Sequence, residues 1–291
     1  MVLKNDYIGN VHSVFHRVVN IIKGNQLITL TDDTIGDVPN GIRVKKESEY
    51  GFDELGIAPG SRVESINNSL IFENSIIKIN LNDAEEISSR QKIAGNLALA
   101  EDCDKFNNYM KVFGRMIAPG EGLCPLWHYI DALVNQMDID DSSLSVLCRA
   151  GFVPLQQSLL GLKSLNARLF YDNVNRLVGL GVGLTPSGDD VLTGLAGSII
   201  LMADKTGRNY LVPLIKLIPM ASEGRTNIIA HNYIVNAVNG EVTGALANYI
   251  NALATGPLDK IEPASRFLFN IGGTSGGELA LGAFLGVLLS A

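Results

Sequence analysis

The chain has 291 residues, 46% of them hydrophobic and 18% charged, and a formal net charge of −7. That length and apolar content predict a sizeable core in two domains without help from disulfides. An acidic chain with no dense Lys/Arg run does not match a phosphate backbone, so nucleic acid is excluded as the expected partner. Cys103, Cys124 and Cys148 form no CxxC pair, which argues against a disulfide framework or a cysteine zinc site and favours a reducing cytoplasm. The opening MVLKNDYIGN has no charged region followed by an apolar one, so no secretory signal is expected. VLTGLAGSIILMA from Val191 and LALGAFLGVLLSA at the C-terminal end fall short of the about 20 residues that span a membrane, and no membrane role is expected.

In chain order, VHSVFHRVVN, QLITLT, GIRV, SRVESI, SLIF and SIIKINL carry β-branched or aromatic residues, separated by the turn-forming GN, DDTIGDVPN, APG, NN and ENS. They predict a small antiparallel β domain, sheet or barrel, over residues 1–82. His12 and His16 have i,i+4 spacing, but in a strand they share a face with Val14 and Val18, which points to a packed sheet and not to a metal pair. Near Asp83 the texture changes: DAEE offers a helix start, and helical spacing follows it. Helices are predicted over 84–101, 104–116, 125–137, 142–150, 164–175, 188–203, 209–220, 227–239, 241–253 and 276–290. The expected architecture is therefore α+β, with the strands followed by a mainly helical domain over 83–291.

The helical domain repeats one device. SGDDVLTG from Ser187 matches SGGELALG from Ser275 in its Ser-Gly, its acid three residues after the Ser, and a later Gly. With Ser at the N-cap, Asp190 or Glu278 at N3 completes a capping box. Gly188 and Gly276 would then stand at N1, Asp189 at N2 outside the box, and Gly179, Gly181, Gly183, Gly272, Gly273 and Gly277 would leave both approaches bare. Bare amides at a helix N-terminus hold anions; capped core helices are the competing reading. GLTPSGD has Asp189 where a phosphate-binding Walker loop needs Lys, and GLGVG lacks the third glycine of a dinucleotide loop, so both nucleotide readings are rejected. Gly194, Gly197, Ala280, Gly282, Ala283 and Gly286 are small residues inside apolar helices. They predict that these two helices pack closely and bring both Ser-Gly turns to one cleft.

GLGVGLTPSGDDVLTG and IGGTSGGELALGAFLGVLL, together with SVFHRVVNI near the N-terminus, resemble the signature blocks of the family containing the H subunit of oxamate carbamoyltransferase, from anaerobic allantoin degradation. Glu278 stands where that pattern commonly has Asp, and Thr274 at a position that His often precedes. The resemblance implies phosphorolysis of oxalurate to oxamate and carbamoyl phosphate, within a complex of hetero-subunits; a homo-oligomer is a further expectation. Such chemistry asks for a phosphate pocket, donors for charge developing on the carbamoyl oxygen, and an arginine fork for a carboxylate.

The expected catalytic residues are Asp189, Asp190 and Glu278. The expected contacts to a small anionic substrate (oxamate, oxalurate, phosphate or carbamoyl phosphate) are Gly183, Thr185, Ser187, Gly188, Arg225, Thr226, Thr274, Ser275, Gly276 and Gly277. Arg225, in EGRTN, leads Arg176 and Arg266 as the fork, and His231 is a secondary acid or base. No protein-ligated metal is expected; Mg²⁺ held through water by Asp189, Asp190 and Glu278 is a secondary expectation. Two alternatives stay open: a non-catalytic scaffold whose Ser-Gly motifs only cap helices, and an enzyme acting on a related small amide.

Overall fold

The computed structural model describes residues 6–46, 49–88, 90–95, 97, 109–110, 113–117 and 122–290. Two compact units divide the chain, Met1–Ser89 and Arg90–Ala291. The first is a seven-stranded, nearly closed barrel-like sheet built from β1 (Asp6–Val14), β2 (Val18–Lys23), β3 (Gln26–Asp32), β4 (Gly41–Val44), β5 (Arg62–Ile66), β6 (Ser69–Phe72) and β7 (Lys78–Asn80), in the order β4-β3-β2-β1-β5-β6-β7. Short turns join most strands and make antiparallel neighbours. The exception is β4, which lies parallel to β3 with Thr29 opposite Gly41, because the long DDTIGDVPN segment carries the chain back before pairing resumes. Val11, Val19, Ile21, Leu30, Val63 and Leu70 fill the interior. His12 lies in β1 as expected, whereas His16 sits in the turn closed by the Phe15 amide on the Val18 carbonyl, so the two do not share a strand face.

The second unit is helical: α1 (Ile130–Asn135), α2 (Val146–Lys163), α3 (Ala167–Leu177), α4 (Ser187–Thr206), α5 (Val212–Ile215), α6 (Ile218–Ser222), α7 (Ile228–Val238), α8 (Gly244–Thr255), α9 (Leu258–Phe269) and α10 (Ser275–Ser290). No described helix is long and apolar enough to cross a membrane.

Several helix expectations need correction. Of the expected 84–101 helix, residues 84–88, 90–95 and 97 are not helical, and 89, 96 and 98–101 lie outside the described residues; Arg90 instead bridges Glu241, and the Gln91 amide donates to the Gly240 carbonyl. Of the expected 104–116 helix, 109–110 and 113–114 are helical, while 104–108 and 111–112 lie outside the described residues. The expected 209–220 helix is broken into a 3-10 turn, α5 and α6, with Pro213 and Pro219 each opening a new helix where a missing N–H costs nothing. Helix α9 was not expected, because Pro263 interrupts its pattern. The expected 125–137 helix begins as a 3-10 turn over Cys124–Tyr129, anchored by Trp127 stacked on Phe113 at 3.7 Å.

Helices α4 and α10 pack along their length, and glycine allows it. A Cβ on Gly194 would overlap the Leu279 carbonyl oxygen, one on Gly282 the Val191 carbonyl oxygen, and one on Gly286 the Ser198 hydroxyl. Gly197 faces elsewhere, with Val242 Cγ1 2.8 Å from where its Cβ would stand. The expected close pairing of these helices therefore rests on Gly194, Gly282 and Gly286.

Candidate functional site

Both Ser-Gly turns begin one residue earlier than a serine N-cap would allow. The N-cap of α4 is Pro186, whose carbonyl accepts from the amides of Asp189 and Asp190, and Ser187 is the first helical residue. In α10 the Thr274 carbonyl accepts from the Gly277 and Glu278 amides in the same way. The capping boxes expected for Ser187 with Asp190 and for Ser275 with Glu278 are therefore not formed. With Pro186 as the N-cap there is no N–H to donate to the acid at the shifted N3 position, Asp189, so no box closes there either.

The one-residue shift reassigns the two aspartates. Asp189, 1% exposed, accepts from the Gly179 amide at 3.0 Å through Oδ1 and from the Thr226 hydroxyl through Oδ2. Burial raises its pKa, while the bonds from Thr226 and Gly179 and the nearby His231 hold it back. Gly179, at φ +70°, begins the glycine loop, so Asp189 ties that loop to the EGRTN turn. His231 bonds the Ser222 hydroxyl through Nδ1 at 2.8 Å.

Asp190 is 4% exposed, and its Oδ2 has no hydrogen-bond partner among the described residues. Burial pushes its pKa well above the ordinary carboxylate range; Ser275 and Thr185 hydroxyls lower it, and the charges of Glu278 and Asp189 raise it further. The Thr185 and Ser275 hydroxyls share a 2.8 Å hydrogen bond across the two turns. Glu278 is fully buried, accepting from the Leu123 amide at 2.9 Å through Oε1 and from the Thr274 hydroxyl at 3.1 Å through Oε2. Burial raises its pKa too, and bonding from Ser187, Leu123 and Thr274 limits the rise.

The influences cross over: Ser275 of one turn lowers the pKa of Asp190 in the other, and Ser187 that of Glu278, while the Thr185–Ser275 bond joins the turns directly. The structure thus brings Thr185, Ser187, Asp190, Thr274, Ser275 and Glu278 into one buried acid cluster. Among the described residues, no cation lowers the pKa of Asp190 or Glu278. Burial and a second acid both raise the Asp190 pKa, which favours the proton-carrying form that a general acid needs.

The glycines divide by role. The amides of Gly188 and Gly276 donate to the Leu180 and Ile271 carbonyls, and a Cβ on either would overlap a carbonyl oxygen near the end of the preceding helix, Leu177 or Leu268. Gly277 faces Cys124 Sγ, 2.7 Å from where its Cβ would stand. Gly183, at φ +94°, and Gly273 are exposed, with nothing within 4 Å of an added Cβ.

Arg225 lies outside the acid cluster's contacts, bonding Asn175 Oδ1 at 3.0 Å and the Asn175 carbonyl at 2.9 Å. Arg176 bonds Asn173 Oδ1, and Arg266 pairs with Glu262. Arg266 also lines a cavity of about 450 Å³ with Arg115, Met116, Glu262, Phe269 and Asn270, none of them in the acid cluster.

The sequence reading missed the Gly122-Leu123-Cys124 segment. Gly122, at φ +90°, lets the backbone approach so closely that a Cβ would overlap Glu278 Oε1. Cys124 is buried, its thiol pushed up to about 12 by burial and by the charges of Glu278 and Cys148. A glycine just ahead of Cys-Pro was the available signal.

Two family models match the chain. Oxamate carbamoyltransferase subunit AllH covers residues 177–287, both Ser-Gly turns included, and the AllH family N-terminal domain covers residues 2–86. No curated protein and no solved structure matches it.

Proposed function

The chain belongs to the AllH family of oxamate carbamoyltransferase subunits, and from that membership we propose that it supplies the acid half of an active site for phosphorolysis of oxalurate. The observation that carries this reading is Asp190: a buried carboxyl with an unpartnered oxygen, pushed toward its protonated form, at the meeting point of the two turns.

In the proposed step, a phosphate oxygen bonds to the carbamoyl carbon and the bond from that carbon to the oxamate nitrogen breaks. Asp190 donates its proton to the departing nitrogen, giving oxamate and carbamoyl phosphate, and regains a proton from solvent before the next turnover. Thr185 and Ser275 orient the substrate, and burial together with the nearby Glu278 raises the Asp190 pKa and favours its protonated form. The open backbone at Gly183 and Gly273 leaves room for the substrate at the rim.

Phosphate beside two carboxyls needs positive charge, and among the described residues no cation lowers the pKa of either acid. We assign that charge to a hetero-subunit of the enzyme. Free, buried Cys124 and Cys148 suit a reducing cytoplasm. The test is reconstitution: oxalurate phosphorolysis is expected from the chain together with its partner subunits and from neither part alone. Full activity of the partners without this chain would defeat the catalytic reading and leave a scaffold.

A further inference from the structure

We propose that His16, Asp53 and Glu54 form a divalent-cation site of the zinc class on the N-terminal unit, separate from the acid cluster. The three ligand atoms lie within 4.8 Å of one another, and each side chain is about half exposed. His16 Nδ1 stands 3.3 Å from Asp53 Oδ1 and 3.7 Å from Glu54 Oε2. Charge-assisted hydrogen bonds run shorter, at roughly 2.7–2.9 Å. Around an ion with bonds of about 2.1 Å, neighbouring ligands of a tetrahedron stand about 3.4 Å apart. The two His16 spacings therefore lie near a coordination edge, and the third, between Asp53 and Glu54, is within 4.8 Å.

The local backbone builds the arrangement. The Phe52 amide donates to the His16 carbonyl at 2.9 Å, which ties the β1–β2 turn to the 3-10 turn over Phe52–Glu54. The Gly51 amide donates to Glu54 Oε2 at 2.8 Å and orients that carboxylate. Gly51 has an ordinary φ of −72°, so its conformation does not require glycine. Its space favours glycine only while the site is assembled: a Cβ there would overlap both His16 Nδ1 and Asp53 Oδ1 and push these side chains out of the arrangement. Gly51 is the floor of a cradle that any side chain would fill. One imidazole and two carboxylates are borderline-to-hard donors that suit Zn²⁺ and its first-row neighbours. The remaining coordination positions face solvent and take water.

Calorimetric titration of the full chain with ZnCl₂, paired with Co²⁺ absorption spectra, tests this. Expected are saturable binding of one ion per chain and visible Co²⁺ bands. His16→Ala should weaken binding at least about tenfold, and Gly51→Ala should weaken it while thermal melts confirm that the barrel remains folded. His12→Ala should bind like the native chain. No saturable binding, or equal binding by His16→Ala, would overturn the proposal.

Discussion

At the residue scale, the two adjacent aspartates do opposite work, and the helix phase decides which does what. A serine N-cap would make Asp190 the structural acid and leave Asp189 free. With Pro186 as N-cap, Asp189 is instead bonded at both oxygens and Asp190 keeps one unpartnered. Asp189→Ala removes both bonds and leaves the Gly179 amide without its acceptor, which should cost roughly 1–3 kcal/mol in a denaturant or thermal titration. Native stability there would show that the tie to Gly179 and Thr226 is dispensable.

Asp190→Asn should behave differently. The folded-state pKa of Asp190 is raised, so between its ordinary value of 3.8 and the folded value the folded chain binds more protons than the unfolded one. Stability from this group is complete below 3.8 and declines as pH rises through the folded pKa. Glu278 and Asp189, also raised, act with the same sign. The asparagine variant lacks the Asp190 share. Its melting temperature relative to the native chain should rise with pH across that window, and a difference independent of pH would contradict the assigned burial of the acid.

At the element scale, glycine spacing carried most of what the sequence made legible. Gly194, Gly282 and Gly286 placed α4 against α10, and the repeated Ser-Gly turns meet, as their shared Thr185–Ser275 bond demonstrates. What was not legible was the exact start of each helix, because a proline and a threonine ahead of the serines took the N-cap positions. Nor did local pattern reveal the role of Gly122 and Leu123, since their contact with Glu278 joins segments distant in sequence. The expected helix from residue 84 failed over 84–88 and 90–95, where Arg90 pairs with Glu241 and tertiary contact outweighs propensity.

The glycine roles separate experimentally. Gly282→Ala forces a methyl against the Val191 carbonyl, and Gly276→Ala forces one against the Leu268 carbonyl; each should cost about 1–3 kcal/mol by overpacking. Gly273→Ala meets open space and should stay within about 0.5 kcal/mol of the native chain. Equal melting temperatures for all three variants would contradict the packing assigned to Gly276 and Gly282.

At the scale of the whole molecule, the AllH family N-terminal domain matches residues 2–86 in the barrel-like unit, and the AllH subunit model matches residues 177–287 in the helical unit. The Thr185–Ser275 bond joins two turns of one chain in the helical unit, and the proposed chemistry takes its positive charge from another subunit. The most direct test is the rate of oxalurate phosphorolysis by the reconstituted enzyme carrying Asp190→Asn, measured beside thermal melts of the same chain. The account predicts a fall of about 10²–10⁴-fold in kcat with the fold intact; native turnover by the folded variant would contradict it.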